Sequence, residues 1–420
     1  MKTLLTNAGW SAAAHLLERG SLVLVSIILS RMLATEGFAA YGYFQMTVSM
    51  LAAYAAMGLG VTASKFFAES DQQSGDAMPP LGTLWALSVL SGLLMALVVL
   101  LVPSSWFESG LNIPSWLLAV GVFVLSLGVI PGGGILGLEK YVAATWASAA
   151  SSVIIVVGAL VAGRLNSPQS AMSVFIFASL VQTAINSWLI IKVIGLRPLL
   201  TGLWIGGFQI RRIFRIAAPM ATISLMTSSA TWFVGRILLS GPSGHWQFSL
   251  YVIGLQWLAI VLYLPGMITR VIFPQLVRVR LIESLNASLQ TSVILHQGMM
   301  LASITAFVIC CIAVVGSPWL MCLYGSHYTS YHWLIMWFMF AALPQAPTGV
   351  LGNGIIADNG QWAWLFIIIV WFVLFIVFTW SQKNSGAIGA ALSYGLASLI
   401  QAVFAYLVAH RRGLIRVGNR

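Results

Sequence analysis

Residues Asn7 to Leu33, NAGWSAAAHLLERGSLVLVSIILSRML, form an apolar run long enough to cross a bilayer, and they carry charge where a bilayer disfavours it. Three ionisable residues, His15, Glu18 and Arg19, sit inside the run. At 100° per residue, Ser11, His15, Glu18, Arg19, Ser26 and Ser30 fall within an arc of about 120°, with Leu16, Leu17, Leu24, Ile27 and Ile28 opposite. Leu22 and Leu29 interrupt the arc, so its polarity is densest from Ser11 to Arg19. A charge near the bilayer centre costs from about 2.5 to over 10 kcal/mol, which keeps such residues facing a protein interior or a wet cavity. Two roles suit the stripe: the wall of a transport cavity, or a polar knot that locks helices together. The cavity wall is the expectation carried forward, because intramembrane charges are functional by default.

The rest of the chain is of the same kind. Of its 420 residues 60% are hydrophobic and 7% charged, with a mean hydropathy of +0.95, which describes a polytopic membrane protein. The formal charge of +11 is spread over short loops and forms no patch with aromatics, so nucleic acid is not an expected partner. Cys310, Cys311 and Cys322 lie in or beside apolar segments without metal-ligand spacing and read as small apolar fillers. The first helix, broken by Glu18 and Arg19, lacks the clean core of a cleaved signal and is expected to stay. The longest hydrophilic connection, Phe66 to Pro80, is about fifteen residues, too short for a catalytic domain. No enzyme activity, catalytic residue, cofactor or metal is expected. With no GxxxxGK[ST] motif, uphill work must draw on a gradient. His327 and His332 read as interfacial residues, and the Asn286-Ala287-Ser288 sequon as incidental.

Runs near 20 residues lie roughly at 8–32, 40–63, 81–103, 115–137, 142–163 and 171–193, then at 213–239, 247–269, 291–315, 331–356, 362–380 and 386–409. Twelve spans put both termini on one side. Of the 20 Lys and Arg residues, 15 fall on that side, three (Arg31, Arg164, Lys383) on the other, and Arg19 and Arg236 within spans. The bias makes the side of the termini cytoplasmic. A basic segment, Gly195 to Arg215, separates two sets of six and is read as lying along the membrane surface with Trp204 and Phe208 inward. A weak echo relates the sets: SIILSR (Ser26 to Arg31) with WFVGRILLS (Trp232 to Ser240), and YGYFQ (Tyr41 to Gln45) with YVIGLQ (Tyr251 to Gln256). Pro131 with Gly132 to Gly134, Pro219, Pro265 with Gly266, and Pro344, Pro347, Gly349 and Gly352 mark four helices as interrupted, a device of moving transporters.

Longer stretches carry a family resemblance. SRMLATEGFAAYGYFQMTVSMLAAYAAMGLGVTASKFFAES, Ser30 to Ser70, resembles the first hairpin of the bacterial O-antigen repeat-unit flippases, through Glu36 and Phe38, Gly58 and Leu59, and Lys65 with Phe66. FVGRILLSG with LYVIGLQWLAIVLYLPGMITRVIFPQLVRV, within Phe233 to Val279, resembles their seventh and eighth helices, ending on Phe273 to Leu276. PTGVLGNGIIADNGQ, Pro347 to Gln361, is similar to the tenth. The chain departs from the pattern at Gly235, where many members carry an acid before the basic residue.

The resemblance implies the multidrug/oligosaccharidyl-lipid/polysaccharide exporter fold: an all-α polytopic protein of twelve transmembrane helices in two six-helix lobes, 1–195 and 211–420, joined by a linker at 196–210, around a central cavity. It implies export of a polyprenyl-diphosphate-linked oligosaccharide from the cytoplasmic to the periplasmic leaflet of the inner membrane, with that glycan, membrane lipids and polysaccharide-assembly proteins as partners. Arginine forks match phosphate oxygens, so Arg19 and Arg236 are the intramembrane substrate contacts and Arg31 and Arg270 the contacts at opposite rims. Gln45, Gln256 and Asn353 are candidates for sugar hydroxyls or for bonds between helices, and Glu18 with His15 for ion coupling. The competing readings are a multidrug cation antiporter, which wants buried carboxylates, a membrane-embedded glycan polymerase, which wants large outer loops, and a passive scaffold.

Overall fold

The computed structural model describes the backbone of residues 2–72, 81–103, 105–108, 110–196, 207–269, 272, 276 and 287–415. Among the described residues the structure is helical throughout, with nine helices long and apolar enough to cross a membrane, or eleven if each of two bent pairs is one span. The helices are α1 (Lys2–Met32), α2 (Thr35–Ala56), α3 (Leu59–Gln72), α4 (Leu81–Leu101), α5 (Ser115–Gly137), α6 (Tyr141–Arg164), α7 (Pro168–Ile194), α8 (Gly207–Leu239), α9 (Gly244–Val261), α10 (Ala287–Tyr324), α11 (Trp333–Ala357), α12 (Gln361–Ser381) and α13 (Gly386–Arg411). They form two compact units, Met1–Trp232 and Phe233–Arg420, so the division falls inside α8. The expected surface segment is only partly visible. Residues 197–206 lie outside the described residues, and Gly207 to Arg215 form the first turns of α8 instead of a separate helix.

Exposed tryptophans mark the membrane boundaries. On α12, Trp362 and Trp380 are both exposed and stand 18 residues apart, about 27 Å at 1.5 Å per residue, close to the roughly 30 Å of a hydrocarbon core. Lys383 lies over Trp380 and Lys192 over Trp188, each 5.3 Å from the ring centroid, as amphipathic side chains do at such a boundary. Below, the near side is the one where α1 begins.

Of the four proline-marked interruptions one is a break in the helix, that of Pro265 and Gly266, where α9 bends after Val261. α5 runs unbroken through Pro131 and the three glycines, α8 through Pro219, and α11 through Pro344 and Pro347. The glycines of α5 serve packing: a Cβ on Gly133 would lie 2.3 Å from the Gly60 carbonyl oxygen, and one on Gly137 2.3 Å from that of Ser64. Two small-residue rows, Gly133/Gly137 and Gly60/Ser64, thereby let α5 and α3 touch at backbone distance. Leu59, Ala63, Phe66 and Phe67 of α3 fill the adjoining core with Leu84, Ile130, Ile135 and Ile190. The real bends are at Met57-Gly58, where α2 turns 55° into α3 on two residues with positive φ, 44° and 71°, and after Val261, where α9 turns 42° into Tyr263–Thr269.

Two helices, α5 and α11, close in the same way. α5 closes with Leu138, Glu139 and Lys140 donating their N–H groups to Gly134, Leu136 and Ile135, and Glu139 at φ 54°. α11 closes with Asp358, Asn359 and Gly360 donating to Gly354, Ile356 and Ile355, and Asn359 at φ 54°. Both are left-handed C-caps of the Schellman type, each leading into the next helix two residues later. The post-bend segments pack on the same two helices: where Gly133 receives the Gly60 backbone, Asn353 donates Nδ2 to the Thr269 carbonyl at 3.2 Å. Asn353→Leu should therefore lower the thermal stability of the purified protein by about 1 kcal/mol. An unchanged melting temperature would show that this bond contributes nothing.

Candidate functional site: a polar band on the first helix

α1 packs along α6 through three small residues on α6, Thr145, Ser152 and Gly163, all buried. Thr145 Oγ1 donates to the Trp10 carbonyl at 2.9 Å and Ser152 Oγ to the Leu17 carbonyl at 3.0 Å. These two bonds run the helices parallel, with the same offset at both positions. Arg19 is then level with position 154 of α6, eight residues or about 12 Å from the boundary at Trp146. That is close to mid-membrane.

Ala14, Ser21, Val25 and Leu29 form the buried face of α1, while Leu16 and Leu24, 60% and 52% exposed, face lipid on the other side. The polar arc lies beside the buried face. His15 Nδ1 stands 3.8 Å from Glu18 Oε2, with the two side chains 27% and 46% exposed. Arg19 is exposed and makes no hydrogen bond or ion pair among the described residues. The acid is thus paired one turn back, with His15, because consecutive side chains on a helix diverge by 100°. Ser26 departs from the expected stripe, being 1% exposed, and the side chain of Ser11 lies outside the described residues. The open polar band is short: His15, Glu18 and Arg19. Arg31 is exposed at the far end of α1, on the Leu24 side and away from this band.

Gln45 is half-buried on α2. Nearby in the same unit, Trp232 Nε1 donates to Thr47 Oγ1 at 3.0 Å, Tyr43 stacks on Trp232 at 6.2 Å, and the Tyr54 and Ser229 hydroxyls share a hydrogen bond. In the second unit, Phe233 meets Phe372 edge-on at 6.4 Å, which sets Arg236 level with about position 375 and some five residues, about 7 Å, inside the boundary at Trp380. Arg236 is therefore intramembrane but in the far half, and partly buried. Gln256 accepts from the Tyr324 hydroxyl at 3.3 Å, and Asn353 holds Thr269, so both bond between helices. Arg270 lies outside the described residues. On the far side Tyr328, stacked on Trp246 at 4.7 Å, has its phenol pushed up to about 12 by burial, partly offset by a hydrogen bond with Ser249. Its cluster is neutral.

Residues that the sequence reading passed over include Trp232 with Thr47, and Arg164. Arg164 had a signal, being one of only three basic residues on the side that the charge tally leaves nearly bare.

Solved structures share this fold. An inward-facing multidrug resistance MATE family transporter of the MOP superfamily matches with a TM-score of 0.73 at 15% identity, over 94% of this chain and 94% of that one. An outward-facing structure described in the same terms matches at 0.70 and 15%, over 97% and 94%. A MOP superfamily transporter from Pyrococcus furiosus, described as having a binding pocket of reverse polarity that suggests a different function, matches at 0.69 and 16%, over 98% and 95%. A comparison with curated proteins finds no match. A family model described as "Polysaccharide biosynthesis protein" matches residues 4–280, about two thirds of the chain, including α1 with its polar band. The chain belongs to the polysaccharide biosynthesis protein family.

Proposed function

We propose that this protein is a flippase that carries a polyprenyl-diphosphate-linked oligosaccharide, of the O-antigen repeat-unit type, across the bacterial inner membrane to the periplasmic leaflet. The observation that supports the reading most is Arg19: a guanidinium at mid-membrane depth, exposed, beside a Glu18 that is already paired with His15. A diphosphate crossing the apolar core needs a fixed cation at that depth, and a guanidinium fork offers two parallel donors to its oxygens. A cation exporter needs deep carboxylates instead, and of the nine acidic residues Glu18 alone lies deep in a span. The family match supports a glycan substrate, and the near side is cytoplasmic by the excess of Lys and Arg there. The binding pocket of reverse polarity described for the Pyrococcus furiosus transporter fits a fold that serves substrates of more than one charge.

Arg236, in the second unit, is the second candidate cation. Arg236→Lys should retain part of the flipping activity, while Arg236→Gln and Arg236→Ala abolish it. The readout is surface polymer in a strain lacking the native flippase, at matched protein levels. Wild-type polymer from the alanine variant rules the role out.

Glu18 and His15 are proposed to read the ion gradient. An anionic headgroup arriving at Arg19 brings a like charge beside Glu18, and its release removes that charge. Glu18→Gln, fixed in the neutral form, should bind substrate yet lose dependence on the proton gradient in reconstituted vesicles. Normal transport with intact gradient dependence would leave Glu18 as only a structural partner of His15.

A further inference from the structure

α1 and α6 pack tightly at Met32 and Gly163, where a Cβ on the glycine would lie 2.8 Å from that of Met32. On two parallel right-handed helices, the residue before the contact on one and the residue after it on the other point to the same side of the seam. Here those residues are Arg31 and Arg164, both exposed, and within about 3 Å of the same depth. Two of the three basic residues on the far side thus meet at one corner, against the charge bias. The acid nearest to them in sequence, Glu36, is exposed on the first turn of α2.

The faces beneath the pair match. Counting back from Arg31 in sevens gives Leu24, Leu17 and Trp10 on one face of α1, all exposed. On α6, Leu160, Val153 and Trp146 lie under Arg164 within an arc of about 40° and are also exposed, Trp146 by 70%. Each stripe runs from tryptophan at the near boundary, through aliphatic side chains, to arginine at the far boundary, 18 residues or about 27 Å on α6.

We infer that this face of the α1–α6 seam binds a polyprenyl lipid, with its diphosphate held by Arg31 and Arg164 in the far leaflet and its isoprenoid tail laid along the paired stripes. Two guanidinium forks match two phosphates, whereas a phosphodiester lipid offers one. The apolar track is about twice the roughly 15 Å of a single leaflet, a length that a phospholipid acyl chain does not use and a long isoprenoid does. The site takes its substrate class from the proposed function and adds the place where the carrier is received, outside the polar band.

The test is native mass spectrometry of the full-length protein in detergent with undecaprenyl diphosphate as the probe. The wild type should retain the lipid, Arg31→Gln/Arg164→Gln should reduce the bound fraction at least tenfold, and equimolar phosphatidylglycerol should not displace it. Val153→Trp, which fills the track and leaves both charges, should also reduce it, and carries the test if the glutamine variant does not accumulate. Unchanged retention in a folded glutamine variant, or displacement by phosphatidylglycerol, overturns the inference. Retention that depends on the two arginines in a protein that moves no lipid-linked glycan sinks the transport reading and leaves this site standing. Transport with arginine-independent retention sinks this site alone.

Discussion

Arg19→Ala should slow translocation of a lipid-linked oligosaccharide in proteoliposomes by at least about 30-fold, and Arg19→Lys should keep a measurable fraction of the wild-type rate. The magnitude follows from removing one member of a desolvated charge pair, which costs about 2–5 kcal/mol, where 1.4 kcal/mol is a factor of ten. The asymmetry between alanine and lysine separates charge from fork geometry. Arg19 makes no hydrogen bond or ion pair among the described residues, so its loss should leave the melting temperature nearly unchanged. Equal rates for wild type and Arg19→Ala would remove the main support for an anionic substrate.

Gly137→Leu and Gly133→Leu should each abolish accumulation of folded protein in the membrane. At both positions the added Cβ falls 2.3 Å from a backbone oxygen of α3, which no rotamer change relieves. Inserting even one methylene into a packed core commonly costs about 1–3 kcal/mol, and here α3 must separate from α5 and open the core around Phe66 and Phe67. Gly132→Ala is the control: nothing lies within 4 Å of its Cβ, and alanine favours helix, so folding and transport should be kept. If Gly132→Ala stops transport while folding normally, α5 works as a hinge. If Gly137→Leu folds and transports, the close packing of α3 on α5 is dispensable.

The glycines of α5 show where sequence reading reaches its limit. Proline followed by three glycines is compatible with a hinge and with a contact face, and the local text is the same for both. The decision depends on what stands opposite, which is Gly60 and Ser64 on α3. Conversely, the bend at Met57-Gly58 carries no proline, and a single glycine rarely breaks a helix. It forms because α3 turns its Leu59, Ala63, Phe66 and Phe67 face into the core beside Ile130 and Ile190. Gln256 and Asn353 follow the same rule: a polar side chain in a span must find a partner, but whether that is a ligand or another helix is a matter of distance.

By itself the sequence determined the class, the order of the spans, the basic bias of one side and the presence of charge in α1. Each of these follows from the transfer of side chains between water and hydrocarbon, a property that every residue carries wherever it sits. Only the tertiary structure decided the depth of Arg19, the burial of Ser26 and the placing of Arg31 and Arg164 on one side of the α1–α6 seam. These depend on the register of α1 against α6, which two hydroxyls, Thr145 and Ser152, fix through bonds to the carbonyls of Trp10 and Leu17. A helix presents such carbonyls at every turn, so no pattern in the text of α1 announces which ones will be used.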